Sequence, residues 1–115
     1  MKVLFVENHR VFANLTAKRL LSSHAVTIVP SLALAREALE TEQFDIVLVD
    51  YDLDDGKGTD LVSELRDISN HPKMIAVSSH AEGNAALKNA GADAICSKQD
   101  FQTIESVISQ VSEQQ

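Results

Sequence analysis

The chain has 115 residues, enough to bury one core without disulfide or metal staples, and is expected to form a single domain over 1–115. Its net charge of −7, from 17 acidic against 10 basic residues, argues against a nucleic-acid surface and against docking on anionic lipid, both of which need clustered Lys and Arg. The single cysteine, Cys96, excludes an internal disulfide and suits a reducing, cytoplasmic setting.

Apolar runs of strand length alternate with segments of helical period. Residues 3–6 are too short an apolar run for a signal peptide and read as a strand. Residues 11–22 have helical spacing, with Phe12, Leu15, Leu20 and Leu21 on the apolar side. A second strand over 26–29 leads into Pro30 and Ser31, the latter placed to cap a helix with Leu32, Ala35, Ala38 and Leu39 on one face. Residues 46–49 are apolar throughout, the pattern of a strand buried on both faces. Leu61, Val62, Leu65 and Ile68 mark a third helix, closed before Pro72. A fourth strand over 74–77 precedes an Ala-rich helix over about 84–90, which stops at Gly91. Residues 94–96 form a fifth strand in which Cys96 is a small core residue rather than a reactive thiol. Phe101, Ile104, Val107, Ile108 and Val111 then follow helical spacing, with Asp100 as the expected N-cap. No segment has the length and apolarity of a membrane span.

Five βα units in alternation imply an α/β fold with a five-stranded parallel sheet covered on both faces; the expected arrangement is the flavodoxin-like doubly wound (βα)5 with strand order 2-1-3-4-5. In that order the tips of strands 1 and 3 flank the topological switch point, where ligands collect. The strands end in Glu7-Asn8-His9, Asp50, Ser78-Ser79 and Ser97-Lys98. One edge therefore gathers carboxylates, a hydroxyl and an ammonium. An ionised Asp50 cannot stay inside an apolar strand and must sit where the strand leaves the core. The set suits phosphoryl chemistry. A carboxylate can attack phosphorus to form an acyl phosphate, an oxygen-lined pocket can hold Mg2+, and a hydroxyl and a lysine can grip the remaining oxygens.

With these features in order, the whole chain resembles the receiver domain of bacterial two-component response regulators. The likeness rests on Glu7-Asn8, on Asp50 with Gly58 eight residues later, on Ser78, and on Ala90-Gly91-Ala92 followed by Lys98. The resemblance implies that Asp50 is the phosphoacceptor, Ser78 the hydroxyl that follows the phosphoryl group, and Lys98 its cationic partner. It implies a Mg2+ site made by Glu7, Asn8, Asp50 and the main-chain carbonyl of Asp52. The phosphoryl donor would be a sensor histidine kinase or a phosphotransfer protein. Beyond phosphoryl acceptance and self-catalysed hydrolysis no enzyme activity is implied, and output would pass to a downstream protein target through a face around the last two helices and fifth strand.

Four positions depart from the family's usual pattern. Asn8 stands where a second acid is common; because two unit charges about 4 Å apart interact by about 4 kcal/mol at a surface-like dielectric, the missing carboxylate is expected to weaken Mg2+ binding. Asp54 replaces a common proline, and the resulting Asp54-Asp55-Gly56 is expected to be a flexible, negative loop. Gln99 follows Lys98 in place of proline, which puts a cis bond there in doubt. Ile95 replaces a common aromatic, so a ring flip cannot carry a signal. His80 and Asp52 are expected to overhang the site and tune hydrolysis of the acyl phosphate. His9, His24 and His71 stand singly and are expected at the surface.

The same residues admit other readings. Counting from Asp50, an EF-hand loop would need Gly at Asp55 and Glu at Leu61. A serine hydrolase on Ser78 and His80 lacks the G-x-S-x-G elbow. Glu7 and Asn8 read alone as helix-capping groups, Ser78 as a turn cap, and Lys98 as a solvated lysine. The alternatives to a phosphorylated switch are a degenerate receiver that binds its partner without phosphorylation and a relay intermediate that passes the group onward. An excised piece of a longer regulator would share the sequence.

Overall fold

In the computed structural model, which describes residues 1–114, each apolar run is a strand: β1 (Lys2–Val6), β2 (Ala25–Val29), β3 (Ile46–Val49), β4 (Lys73–Ala76) and β5 (Ala94–Ile95). Between and after them run α1 (Arg10–Leu20), α2 (Leu32–Thr41), α3 (Gly58–Arg66), α4 (Ala81–Ala90) and α5 (Ile104–Glu113). All pairings in the five-stranded sheet are parallel, and the order β2-β1-β3-β4-β5 is the expected doubly wound one. The chain has the flavodoxin-like fold.

The period-2 pleat divides the core in two. Leu4 and Val6 of β1 point with Val47 and Val49 toward α2, α3 and α4, where Leu32, Leu61 and Leu87 meet them. Val3 and Phe5 point with Ile46 and Leu48 toward α1 and α5, against Ala13, Ile104 and Ile108. Central strands apolar on both faces can exist only under two layers of helix, and each large side chain so buried contributes about 1.5–3 kcal/mol. Among the described residues no helix is long and apolar enough to cross a membrane.

Several local expectations need correction. Ser31 does cap α2, its Oγ accepting from Leu34 N at 3.2 Å. The acidic loop after β3, however, is not loose. Asp52–Leu53 pairs antiparallel with Gly56–Lys57, and Asp55 reaches across to accept from Leu32 N at 2.7 Å and Ala33 N at 3.0 Å. The loop's charge is thus used to close the N-terminus of α2, where partial positive charge collects, and these main-chain donors hold the Asp55 carboxyl below its ordinary pKa. Asp100 does not cap α5. A 3-10 segment over Lys98–Thr103 intervenes, entered from Ser97, and Thr103 precedes α5. The fourth helix begins at Ala81, one turn before the expected start, with His80 as its N-cap. Leu15 and Ile68 are 45% and 55% exposed, so they lie outside the apolar faces assigned to them. His24 is no surface residue: its ring is nearly covered, with Nε2 on Glu105 and Nδ1 near the Met1 amine.

Candidate functional site

The sheet's hydrogen-bond ladder runs one rung past each central strand and carries the polar residues with it. Glu7 N donates to Val29 O at 2.9 Å, Asp50 N to Val6 O at 3.0 Å, and Lys98 N to Ser78 O at 3.2 Å. Glu7, Asp50, Ser78 and Lys98 are therefore fixed by main-chain register at one edge before any side-chain contact is made. Glu7, Asp50 and Ser78 are buried, at 0%, 7% and 3% exposure.

Lys98 stands between the two carboxylates. Its Nζ lies 3.2 Å from Asp50 Oδ2 and 2.9 Å from Glu7 Oε1. The contact with Asp50 is a hydrogen bond, whereas Glu7 Oε1 is ion-paired without a donor aimed at it, the one buried side-chain oxygen or nitrogen among the described residues left so. The other Glu7 oxygen accepts from His9 N at 3.1 Å. One cation thus serves two buried anions. Burial raises the Glu7 pKa from an ordinary 4.5 to about 7; Lys98 opposes the rise, Asp50 adds to it and the His9 amide opposes it.

The lysine is held from a second side. Its ammonium sits 5.0 Å from the centroid of Phe12, and Phe12 packs edge-on to both Phe5 and Phe101. A cation over an aromatic face gains about 0.5–2 kcal/mol, so the aromatic cluster helps aim Lys98 at the carboxylates. Phe12 was legible only as an apolar residue of α1; no spacing in the sequence signals its contact with residue 98.

Asp50 keeps its second oxygen on its own turn, Oδ1 accepting from Tyr51 N at 2.8 Å. Gly58 explains itself here: a Cβ would lie 2.0 Å from the Asp50 carbonyl oxygen and 2.8 Å from Val49 Cγ1, so only glycine lets α3 start against the acceptor strand. Ser78 Oγ accepts from His80 N at 3.1 Å, and its main chain is bracketed by the buried side chain of Asn84. Asn84 reads from sequence as a helix start; its spacing of three from buried Leu87 was the available signal that it faces inward.

The remaining expected residues fall at the rim. Asn8 is exposed beside Glu7. The Asp52 carboxylate is engaged by Lys57 across the hairpin. His80 is exposed at the head of α4. Among the described residues every peptide bond is trans, and Gln99, where proline is usual, donates from Nε2 to Ser79 O at 2.9 Å. Ile95 is 43% exposed, an aliphatic surface at the edge strand.

Among the described residues no three His, Cys, Asp or Glu side chains converge as a metal site by themselves. The donors nonetheless fit a hard divalent cation that takes oxygen ligands and keeps water. Two carboxylates share one lysine, and Glu7 Oε1 has no partner besides that shared ammonium. A pocket of about 240 Å3 bounded by Glu7, Arg10, Asn14, Ile28 and Pro30 opens beside it.

The response regulator receiver domain family matches residues 3–109. Among solved structures, the chain superposes on a receiver domain protein (CheY-like) of Methanospirillum hungatei JF-1 with TM-score 0.85 and 25% identity, over 97% of this chain and 93% of that one. A receiver domain (CheY-like) of Methylobacillus flagellatus gives TM-score 0.77 and 26% identity over 94% and 98%. Response regulator Rcp1, solved in its Mn2+-bound form, gives 0.79 at 14% identity over 99% and 96%. No curated protein matches the chain.

Proposed function

The chain belongs to the response regulator receiver domain family, and from that premise we propose that it accepts a phosphoryl group on Asp50. The observation that carries this reading is Lys98 Nζ, brought from another strand end to 3.2 Å from Asp50 Oδ2. Asp50 Oδ2 attacks phosphorus while the bond from phosphorus to the donor's histidine nitrogen, or to the acyl oxygen of a small donor, breaks. The leaving group departs with that bond's electron pair, and the product is an acyl phosphate on Asp50. Lys98, freed from the neutralised acceptor oxygen, pairs with a phosphoryl oxygen, and the Ser78 hydroxyl donates to another. Water attacking the same phosphorus later restores the carboxylate.

Mg2+ would be held by Glu7, Asn8, Asp50 and the Asp52 carbonyl, and bound there it would neutralise phosphoryl oxygens. A response regulator of the same fold has been solved in a Mn2+-bound form, which is in keeping with a divalent ion as cofactor. Asn8 supplies an oxygen without charge, so affinity should fall below that of a site with three acids. The phosphoryl donor is a sensor histidine kinase or phosphotransfer protein, and the output is a protein contact. A cytoplasmic setting accords with the single free cysteine, buried Cys96.

Incubation with a small acyl phosphate and Mg2+, followed by intact mass, tests the reading. Wild type should gain one phosphoryl group and Asp50→Asn none. An unmodified wild type would overturn it in favour of a phosphorylation-independent interaction module, the reading that exposed Asn8 favours. In the same assay His80→Ala should change the lifetime of the adduct a few-fold without preventing its formation, because His80 stands at the rim and contacts Ser78 only through its main chain.

A further inference from the structure

We propose that Asn84 is a positioning residue whose side-chain amide ties the main chain of Ser78 to α4, so that any displacement of Ser78 carries the first turns of that helix with it. Asn84 is only 4% exposed, although it lies in a helix otherwise short of apolar anchors. Its Oδ1 accepts from Ser78 N at 2.8 Å and its Nδ2 donates to Ser78 O at 3.0 Å. Both main-chain groups of one residue are thus answered by one side chain, in a closed ring of two hydrogen bonds. A hydroxyl cannot span both groups, and an apolar side chain would leave a buried donor unpaired; a primary amide offers donor and acceptor side by side without charge.

Two further contacts make the tie stiff. A Cβ on Gly83 would stand 2.8 Å from Ser78 Oγ and 3.0 Å from Tyr51 Cβ, so the helix backbone itself abuts the hydroxyl and the residue next to Asp50. His80 N donates to Ser78 Oγ at 3.1 Å. Residues 80, 83 and 84 thus all meet Ser78 directly. The tie rests on these contacts; only the reason for Ser78 to move rests on the phosphoacceptor reading.

Amide hydrogen exchange of Ser78 and of the first two turns of α4 tests it in the full chain, in wild type, Asn84→Asp and Asn84→Leu. A protonated carboxyl donates and accepts as the amide does, whereas an ionised one turns two acceptors toward Ser78 O. Asn84→Asp should therefore match wild-type protection at pH 5 and lose about tenfold at pH 8, the scale of one lost hydrogen bond. Asn84→Leu should lose it at both. Wild type read at both values removes the contributions of His80, Glu82, Glu7, Asp50 and Lys98. Wild-type protection in Asn84→Asp at pH 8, or a loss that pH 5 does not restore, would overturn the proposal.

A second arm adds the small acyl phosphate and Mg2+. Exchange at Ser78 and at the head of α4 should change together in wild type and separately in Asn84→Leu. Separate changes in wild type would also overturn the tie. A wild type that takes no phosphoryl group would fail the functional reading, while the first arm still decides the role of Asn84.

Discussion

The two edges of the sheet use carboxylates in opposite ways. At the edge where strands begin, two acids close main chain: Asp45 Oδ2 accepts from Lys2 N and Asp93 Oδ2 from Met74 N, both at 2.8 Å. At the edge where strands end, Glu7 and Asp50 face one another over a single ammonium, and Glu7 Oε1 has no partner besides that shared cation. Acids that finish a backbone ladder are spent on folding. Acids left short of partners hold interaction energy for an incoming group, and a surface pocket of about 640 Å3 around Leu39, Phe44, Leu65, Ile68 and Pro72 lies at the other end without altering that division.

The contrast breaks most sharply at Lys98. Lys98→Met leaves two buried carboxylates without a counter-ion and should lower stability by about 3 kcal/mol at pH 8, the scale of breaking a buried pair. Urea denaturation checks this, and the phosphoryl adduct should be slowed by orders of magnitude in the same variant. Next comes pH. Glu7 titrates near 7 when folded and near 4.5 when unfolded, so between those values the folded chain holds a proton that the unfolded chain has released. Stability must then decline as pH rises from about 4.5 to about 7, on the order of 1–3 kcal/mol from this group, and be independent of it outside that window. Urea midpoints measured with a chelator present should show this slope in wild type and not in Glu7→Gln. The smallest effect belongs to the opposite edge. Asp93→Ala should cost about 1 kcal/mol, one hydrogen bond to a main-chain amide, with phosphoryl acceptance unchanged.

Each of these outcomes separates an acid that supports folding from one that awaits a ligand. Equal losses from Lys98→Met and Asp93→Ala would erase the distinction.

The sequence by itself determined the five strands and the four residues at their ends, because strand burial leaves a run of β-branched and aliphatic residues and a polar residue can follow only where the strand surfaces; their order was settled by the pairing of the strands. Val49 before Asp50 and Val6 before Glu7 are enough to place both acids at the sheet edge. It also marked Gly58, whose need to be glycine is visible only once the Asp50 carbonyl is seen against it. What periodicity could not carry were contacts between residues far apart in the chain. Asp55 on the N-terminus of α2, Phe12 under Lys98, and the His24 ring on Glu105 each depend on how helices pack across the sheet. Asn84 on Ser78 is close in sequence yet still hidden, since an asparagine near a helix start is by pattern a cap and becomes a tie only when the helix is docked. Period records which face is buried; tertiary packing alone decides what each buried polar group meets there.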